Sequence, residues 1–355
     1  MKPVYVNPNI RDTYRIFPEQ GRYAYHRFDL NENPEGLPVH FVEEVKKNIT
    51  PEFLSTYPEP KTFIEKYANS VNVHPENILP TNGSDMAIRY VLETFGESGK
   101  DIVTVSPTFG MYAVNCSILG LRHKPIAYNS DLTFDIQKLL NAIDSDTRVV
   151  AILNPNNPVG DAFNSDELDA VVAKAETVGA IVVIDEAYHY FYDKTCIEYT
   201  MSKSNVILLR TFSKLFSIAA CRLGVIISNP QLIQYINNGR LTFDVNSIAL
   251  LFGEKILDDP RIEADLIRTE KEGKDFLSAE LDKRNYEYVV CKGNFILIIP
   301  KSLPAKIEES LCVNKQVLIH TFGKGLLEQY IRVSVGSIRS MRIFADAFFS
   351  LDGNL

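Results

Sequence analysis

The chain has 355 residues, 45% of them apolar and 23% charged, with a formal net charge of −8. That balance fits a globular protein with length for a large domain plus a smaller one. An acidic chain without basic clusters argues against nucleic acid as a partner, and no apolar run is long enough to span a bilayer.

The five cysteines, Cys116, Cys196, Cys221, Cys291 and Cys312, are scattered and form no CxxC pair. A disulfide framework is not expected, and a reduced, cytoplasmic setting is. The opening Met1-Lys2-Pro3-Val4-Tyr5 lacks the apolar core of a signal peptide. The six histidines show no metal-ligand spacing, so no metal is expected.

In chain order, residues 1–31 are expected to form an N-terminal arm. A helix is predicted after Pro38, through Val42 to Lys47, and Pro51, Pro58 and Pro60 then break the chain into a loop around Tyr57. Met86 to Phe95 reads as a helix with Ala87, Val91 and Phe95 on one face. Short apolar runs follow at 102–105, 149–153, 181–184 and 206–209. Each is continuous rather than alternating, which marks strands covered on both faces of a mostly parallel sheet. Helical stretches such as Glu167–Val178 separate several of them. From Ser247 to Arg284 a charge-laced helical region is interrupted near Asp258-Asp259-Pro260. Short strands are predicted at 288–290, 295–299, 316–320 and 331–335, before a final helix. The expected architecture is a large mostly parallel α/β/α domain over 32–238 and a smaller α+β domain over 239–355.

Ligands of open α/β sheets bind beyond the carboxyl ends of the strands. Four segments fall there: Asn154-Pro155-Asn156-Asn157-Pro158, Asp185-Glu186-Ala187-Tyr188, Thr211-Phe212-Ser213-Lys214, and Thr81-Asn82-Gly83-Ser84-Asp85 ahead of a helix. Alone, each is common: a strand-end Asp usually caps a helix, and Asn-Pro-Asn-Asn-Pro is a turn. Together they meet the needs of a pyridine aldehyde phosphate. Lys214 supplies the amine for an imine, and Asp185 the carboxylate that keeps the pyridine nitrogen protonated. Asn157 and Tyr188 offer donors to the phenolic oxygen. Backbone N–H groups at Gly83-Ser84-Asp85, with Ser213 and Arg222, offer a phosphate cradle. Phe109 can cover the ring face. The partial string Gly96-Glu97-Ser98-Gly99-Lys100-Asp101 lacks the first Gly and the final Ser/Thr of a P-loop and reads as a surface turn.

These segments, with Leu30-Asn31-Glu32-Asn33-Pro34, Tyr57-Pro58, Pro107-Thr108-Phe109-Gly110-Met111-Tyr112, Arg210-Thr211-Phe212-Ser213-Lys214, Arg222-Leu223-Gly224 and Ile331-Arg332-Val333-Ser334-Val335-Gly336, carry a resemblance. The chain resembles the fold-type I pyridoxal 5'-phosphate (PLP) enzymes of the class I/II aminotransferases, and most closely the histidinol-phosphate aminotransferase branch. The resemblance runs from about Asp29 to about Phe349. It implies a homodimeric PLP transaminase acting on a small phosphorylated amine or amino acid. Catalytic roles fall to Lys214, Asp185 and Tyr188. Cofactor contacts fall to Gly83, Ser84, Asp85, Phe109, Asn157, Thr211, Ser213, Arg222 and a Tyr57 that reaches the partner subunit's phosphate. Arg332 is expected to hold a substrate phosphate or carboxylate, with Asn33 and either Tyr23 or Tyr25 nearby. His320 stands where the branch usually carries an arginine, which leaves one fewer permanent cation for a substrate phosphate. Decarboxylation of a phosphorylated amino acid, of threonine- or serine-phosphate type, is the competing expectation. A non-catalytic PLP-binding regulator is a third, and it lacks a separate DNA-binding domain here.

Overall fold

A computed structural model of the chain describes residues 4–11, 13 and 21–353. The rest of the expected arm (1–3, 12 and 14–20) lies outside the described residues, as do 354–355. The strands, in chain order, are β1 (His26–Arg27), β2 (Ile78–Asn82), β3 (Asp101–Ser106), β4 (Arg122–Ala127), β5 (Thr147–Leu153), β6 (Ile181–Asp185), β7 (Val206–Thr211), β8 (Leu223–Ser228), β9 (Tyr288–Val290), β10 (Phe295–Ile298), β11 (Val317–Leu318), β12 (His320–Thr321) and β13 (Ile331–Ser334).

Seven of them form one sheet in the order β2-β8-β7-β6-β5-β3-β4. Pairing is parallel from β7 through β4, and β8 runs antiparallel to both of its neighbours. The continuous apolar runs now have a physical reason. Val150, Ile152, Val182, Ile184, Val206 and Leu208 point into one core. The residues between them, Val149, Ala151, Ile181, Val183, Ile207 and Leu209, point into a second core on the opposite face. The first core is closed in part by the helix Ser165–Thr177, through Leu168, Val171, Val172 and Ala175. The second is closed by the helix Gly83–Phe95, through Ala87, Ile88, Val91 and Leu92. With helices on both faces, a strand has no polar side to alternate.

Three strands of this sheet were not predicted. Strand β2 carries Pro80, which is tolerated because β2 is an edge strand. Strand β4 is the other edge and keeps Arg122, His123, Lys124 and Pro125, so its pattern is polar. Strand β8 begins inside the Arg222-Leu223-Gly224 motif, at Leu223, and the motif masks its apolar run.

A second sheet, β12-β13-β10-β9, is antiparallel. It shares a core with Leu277, Leu281, Phe344 and Phe348 from the long helix Pro260–Asp282 and the last helix Ile338–Leu351. The strand expected over 316–320 is split. Val317–Leu318 pairs in parallel with β1 of the arm, and His320–Thr321 pairs with β13. The helix Ser247–Leu257 buries Ala249, Leu250, Leu251 and Ile256 in the first core of the large sheet. Among the described residues, no helix is long and apolar enough to cross a membrane.

Candidate active site

The parallel register puts the carboxyl ends of β5, β6 and β7 side by side: Leu153 pairs with Asp185, and Asp185 with Leu209. Their following loops therefore converge, and a cavity of about 580 Å³ opens over them. Its wall brings together Ser84, Asp85, Phe109, Asn157, Asp185, Tyr188, Thr211, Ser213, Lys214 and Arg222 from the large sheet. His320 and Arg332 of the second sheet close it, with Leu30, Asn31 and Glu32 from the segment after β1.

Asp185 lies at the floor, fully buried. Burial pushes its carboxyl up to about 7, although Tyr112 and the Ala187 N–H stabilise the charged form. The Tyr112 hydroxyl donates to Asp185 Oδ2 at 3.1 Å, and the Ala187 N–H to Oδ1 at 3.1 Å. Burial and Asp185 itself hold the Tyr112 phenol well above its usual range, so it remains a donor. A carboxylate so desolvated, with no cation stabilising its charge among the described residues, fits a protonated pyridine nitrogen.

Tyr188 and Asn157 meet above this floor, the Asn157 amide donating to the Tyr188 hydroxyl at 3.1 Å. Lys214 Nζ donates to the Leu30 carbonyl at 3.0 Å and lies 5.9 Å from the centre of the Tyr188 ring. Phe109 lines the wall.

A phosphate cradle stands at the start of the helix Gly83–Phe95. Asn82 gives that helix no side-chain cap, which leaves its first N–H groups for an anion. Arg222, at φ 59°, turns its guanidinium onto this terminus and donates to Asp85 Oδ2 at 2.9 Å. The approach is close enough to require glycine. A Cβ on Gly83 would lie 2.4 Å from Arg222 Nη2, and one on Gly224 2.6 Å from the Ser84 nitrogen. Ser213 completes the cradle, its N–H and Oγ both bonded to Thr211 Oγ1. These donor sets fit PLP: an anion cradle, a carboxylate at the floor, amide and phenol donors to one side, and an amine.

Arg332 reaches the cavity from β13. It donates through Nη1 to Asn157 Oδ1 at 2.7 Å and through Nη2 to the Asp29 carbonyl at 2.6 Å. Its buried Nε has no hydrogen-bond partner among the described residues. Burial lowers its pKa from the usual arginine range, so an incoming anion gains more there than at the surface. His320 sits opposite Arg332 in the β12–β13 pair and packs edge-on against Phe322, 4.9 Å between ring centres. Burial, and then Arg332, push its imidazole down to about 4.

The other expected residues lie elsewhere. Tyr57 is 72% exposed and stacks on Phe243, with ring centres 4.4 Å apart, outside the cavity of its own chain. Tyr23 is 94% exposed and Tyr25 half-buried; neither lines the cavity. Asn33 turns away, donating to Ser217 Oγ at 2.7 Å and accepting from the Glu35 N–H. Gly83 contributes its lack of a side chain rather than wall surface.

Residues without a role in the sequence reading also appear. Asn31 donates to the Tyr188 hydroxyl at 3.0 Å, and Tyr112 supports Asp185. Glu32 lines the cavity while Arg22 and Arg27 hold it from the arm. Burial works against its ionisation, but the Arg22 hydrogen bond and the charges of Arg22, Arg27 and Lys214 keep it below the usual glutamate range. Behind the floor, Arg210 and Glu186 form a buried ion pair at 2.8 Å that ties the ends of β6 and β7. The Asn31–Tyr188 and Tyr112–Asp185 contacts join different elements, 157 and 73 positions apart, and left no local pattern to find.

The model of the family described as aminotransferase class I and II matches residues 27–348. A histidinol-phosphate aminotransferase of Caldanaerobacter subterraneus subsp. tengcongensis is 30% identical over 323 residues, 89% of each chain. One of Clostridium novyi is 30% identical over 93% of this chain and 92% of its own. The crystal structure of histidinol-phosphate aminotransferase from Sinorhizobium meliloti in complex with pyridoxal-5'-phosphate superposes with a TM-score of 0.86 over 98% of both chains, at 22% identity, a likeness of fold. The fold-type I architecture, the family model and these relatives agree: the chain belongs to the class I and II aminotransferases and is a PLP-dependent transaminase.

Proposed function

We propose that the chain transaminates a small phosphorylated amine of the histidinol-phosphate kind, with Lys214 as the residue that carries the cofactor and moves the proton. The placement of Lys214 beside Tyr188, in a cavity whose floor is Asp185, carries this reading. The aminotransferase names of the two relatives favour transamination over decarboxylation.

PLP, when bound, supplies an electron sink for negative charge at the substrate's α-carbon. Asp185 would hold the proton on the pyridine nitrogen. Asn157 and Tyr188 would donate to the phenolic oxygen, and Ser84, Asp85, Ser213, Thr211 and Arg222 would hold the phosphate. Phe109 would pack against the ring. Lys214 would carry the cofactor and, as a free amine, would move the substrate's α-proton as general base and then acid. Arg332 fixes the substrate's anionic group, and His320 sits beside it as a neutral donor. Residues 32–238 thus hold the cofactor while 239–355 supply the substrate contacts, and Ser247–Leu257 joins the two. Glutamate is the proposed second amino donor.

The working unit is proposed to be a cytoplasmic homodimer in which Tyr57 completes the partner's phosphate site. The exposed apolar patch of Leu54, Tyr57, Leu241 and Phe243 supports a covered face, and five free cysteines support a reducing compartment. The test is the visible spectrum of the purified holoenzyme during addition of L-glutamate and then of histidinol phosphate, with gas release followed in parallel. Conversion to the aminated cofactor by glutamate is expected, and so is turnover of the phosphorylated amine. Carbon dioxide release from a phosphoamino acid, with no response to glutamate, would replace transamination by decarboxylation.

A further inference from the structure

We propose that Asn31 is a positioning residue that makes Tyr188 an obligate hydrogen-bond donor to the cofactor's phenolic oxygen. This rests on the reading above, in which Tyr188 faces that oxygen.

The argument is one of hydrogen-bond direction. Asn31 is buried in the left-handed region, at φ 55°, a conformation that Asn tolerates better than most residues. Its backbone N–H donates to Ser334 Oγ at 2.8 Å. That hydroxyl, having accepted, donates onward to Asn31 Oδ1 at 3.3 Å. The Asn31 carbonyl accepts from Asn294 Nδ2 at 3.1 Å. With Oδ1 committed to Ser334, the amide nitrogen must be the group that faces Tyr188, 3.0 Å away.

Asn157 is oriented by the same logic from the other side. Its Oδ1 accepts from Arg332, so its amide nitrogen also points at Tyr188. A phenolic oxygen that receives two N–H donors has its accepting capacity filled. The Tyr188 proton is then directed into the cavity. Two donors also make it a stronger donor, because they stabilise charge developing on its oxygen. The adjacent Leu30 carbonyl holds Lys214 Nζ, so one turn of chain orients both a cofactor donor and the carrier lysine.

The test is the pH titration of the visible cofactor band in the holoenzyme without substrate. A donor on the phenolic oxygen favours its charged form, so weakening Tyr188 raises the midpoint. Asn31→Gly keeps the backbone conformation and removes the amide; an upward shift of about half to one pH unit is expected. Asn31→Asp puts an acceptor against Tyr188 and is expected to shift it further. Ser334→Ala frees the Asn31 amide to rotate and guards against a misfolded Asn31 variant; a smaller shift in the same direction is expected. In a Tyr188→Phe background, Asn31→Gly is expected to add nothing. An unchanged midpoint in Asn31→Gly, or a shift that persists undiminished without the Tyr188 hydroxyl, would overturn the proposal. A wild-type protein with no visible band would instead overturn the cofactor reading beneath it.

Discussion

Arg332 and Asn157 stand 175 positions apart in the chain and 2.7 Å apart in space, the guanidinium donating to the amide oxygen. The residue proposed to hold the substrate's anion is thereby bonded to one proposed to hold the cofactor's phenolic oxygen. Lysine at 332 would keep a positive charge but lose the planar fork that serves Asn157, the Asp29 carbonyl and an anion at once. Arg332→Lys is expected to lower kcat/KM by about 10²–10³-fold, the equivalent of one or two charge-assisted hydrogen bonds. Part of the loss should fall on kcat because Asn157 is released. Steady-state kinetics separate the two, and a pure KM effect would argue that the Asn157 link does not matter in turnover.

The floor carboxylate gives a prediction about stability. Asp185 has a folded-state pKa of about 7 in the cofactor-free chain, above the ordinary value of about 4 in an unfolded chain. The folded state therefore binds the extra proton. Its stabilising contribution is complete below about pH 4 and is lost as the pH rises to about 7. Cofactor-free Asp185→Asn should escape that loss. At pH 8 its melting temperature is expected to exceed that of the cofactor-free parent by several degrees, and at pH 4 the two should converge. Transaminase turnover should nevertheless fall by at least about 10²-fold, because the amide cannot hold the pyridine proton. Calorimetry of both proteins across this range checks the sign. A parent more stable at pH 8 than at pH 5 relative to the variant would contradict it.

Much of this floor was legible in the sequence because strand ends are local features. Apolar runs followed at once by Asp185, Asn154–Asn157 or Thr211–Lys214 mark both the sheet and its carboxyl edge. Edge strands such as Arg122–Ala127 escaped because they face solvent, and their pattern is that of a loop. The supporting contacts were illegible for another reason. The Asn31 amide and the Ser334 hydroxyl meet across 303 positions, and only the paired sheets bring them together. Tyr112 was visible within a motif, but its hydrogen bond to Asp185 depends on how the helix Met111–Leu119 lies over the strand end.

His320 makes a prediction about pH. Burial and Arg332 hold its imidazole neutral down to about pH 4, so on that side of the cavity the free enzyme presents Arg332, and not His320, as a permanent cation. The pH profile of kcat/KM reports ionisations of the free enzyme and substrate. His320→Ala is therefore expected to leave its shape unchanged between pH 6 and 8, with a uniform drop of about 3–10-fold for one lost neutral hydrogen bond. His320→Arg should instead lower KM for a phosphorylated amine. An inflection near 6.5 that vanishes in His320→Ala would show the imidazole titrating in its ordinary range.

The partner's share of the site can be tested without a structure of the dimer. Tyr57 stacks on Phe243 at the exposed face, away from the Lys214 of its own chain. If it serves the partner, a chain carrying Lys214→Ala still donates an intact Tyr57, and a chain carrying Tyr57→Ala still holds an intact Lys214. Each variant alone should be nearly inactive. In a re-associated equal mixture, half of the dimers are hybrids and each hybrid has one complete site. About one quarter of the parental activity is therefore expected to return. If Tyr57 acted within its own chain, every hybrid site would lack one of the two residues: the Lys214→Ala chain would have Tyr57 without the lysine, the Tyr57→Ala chain the reverse. Mixing would then restore nothing, and the recovered activity after unfolding and joint refolding decides between the two arrangements.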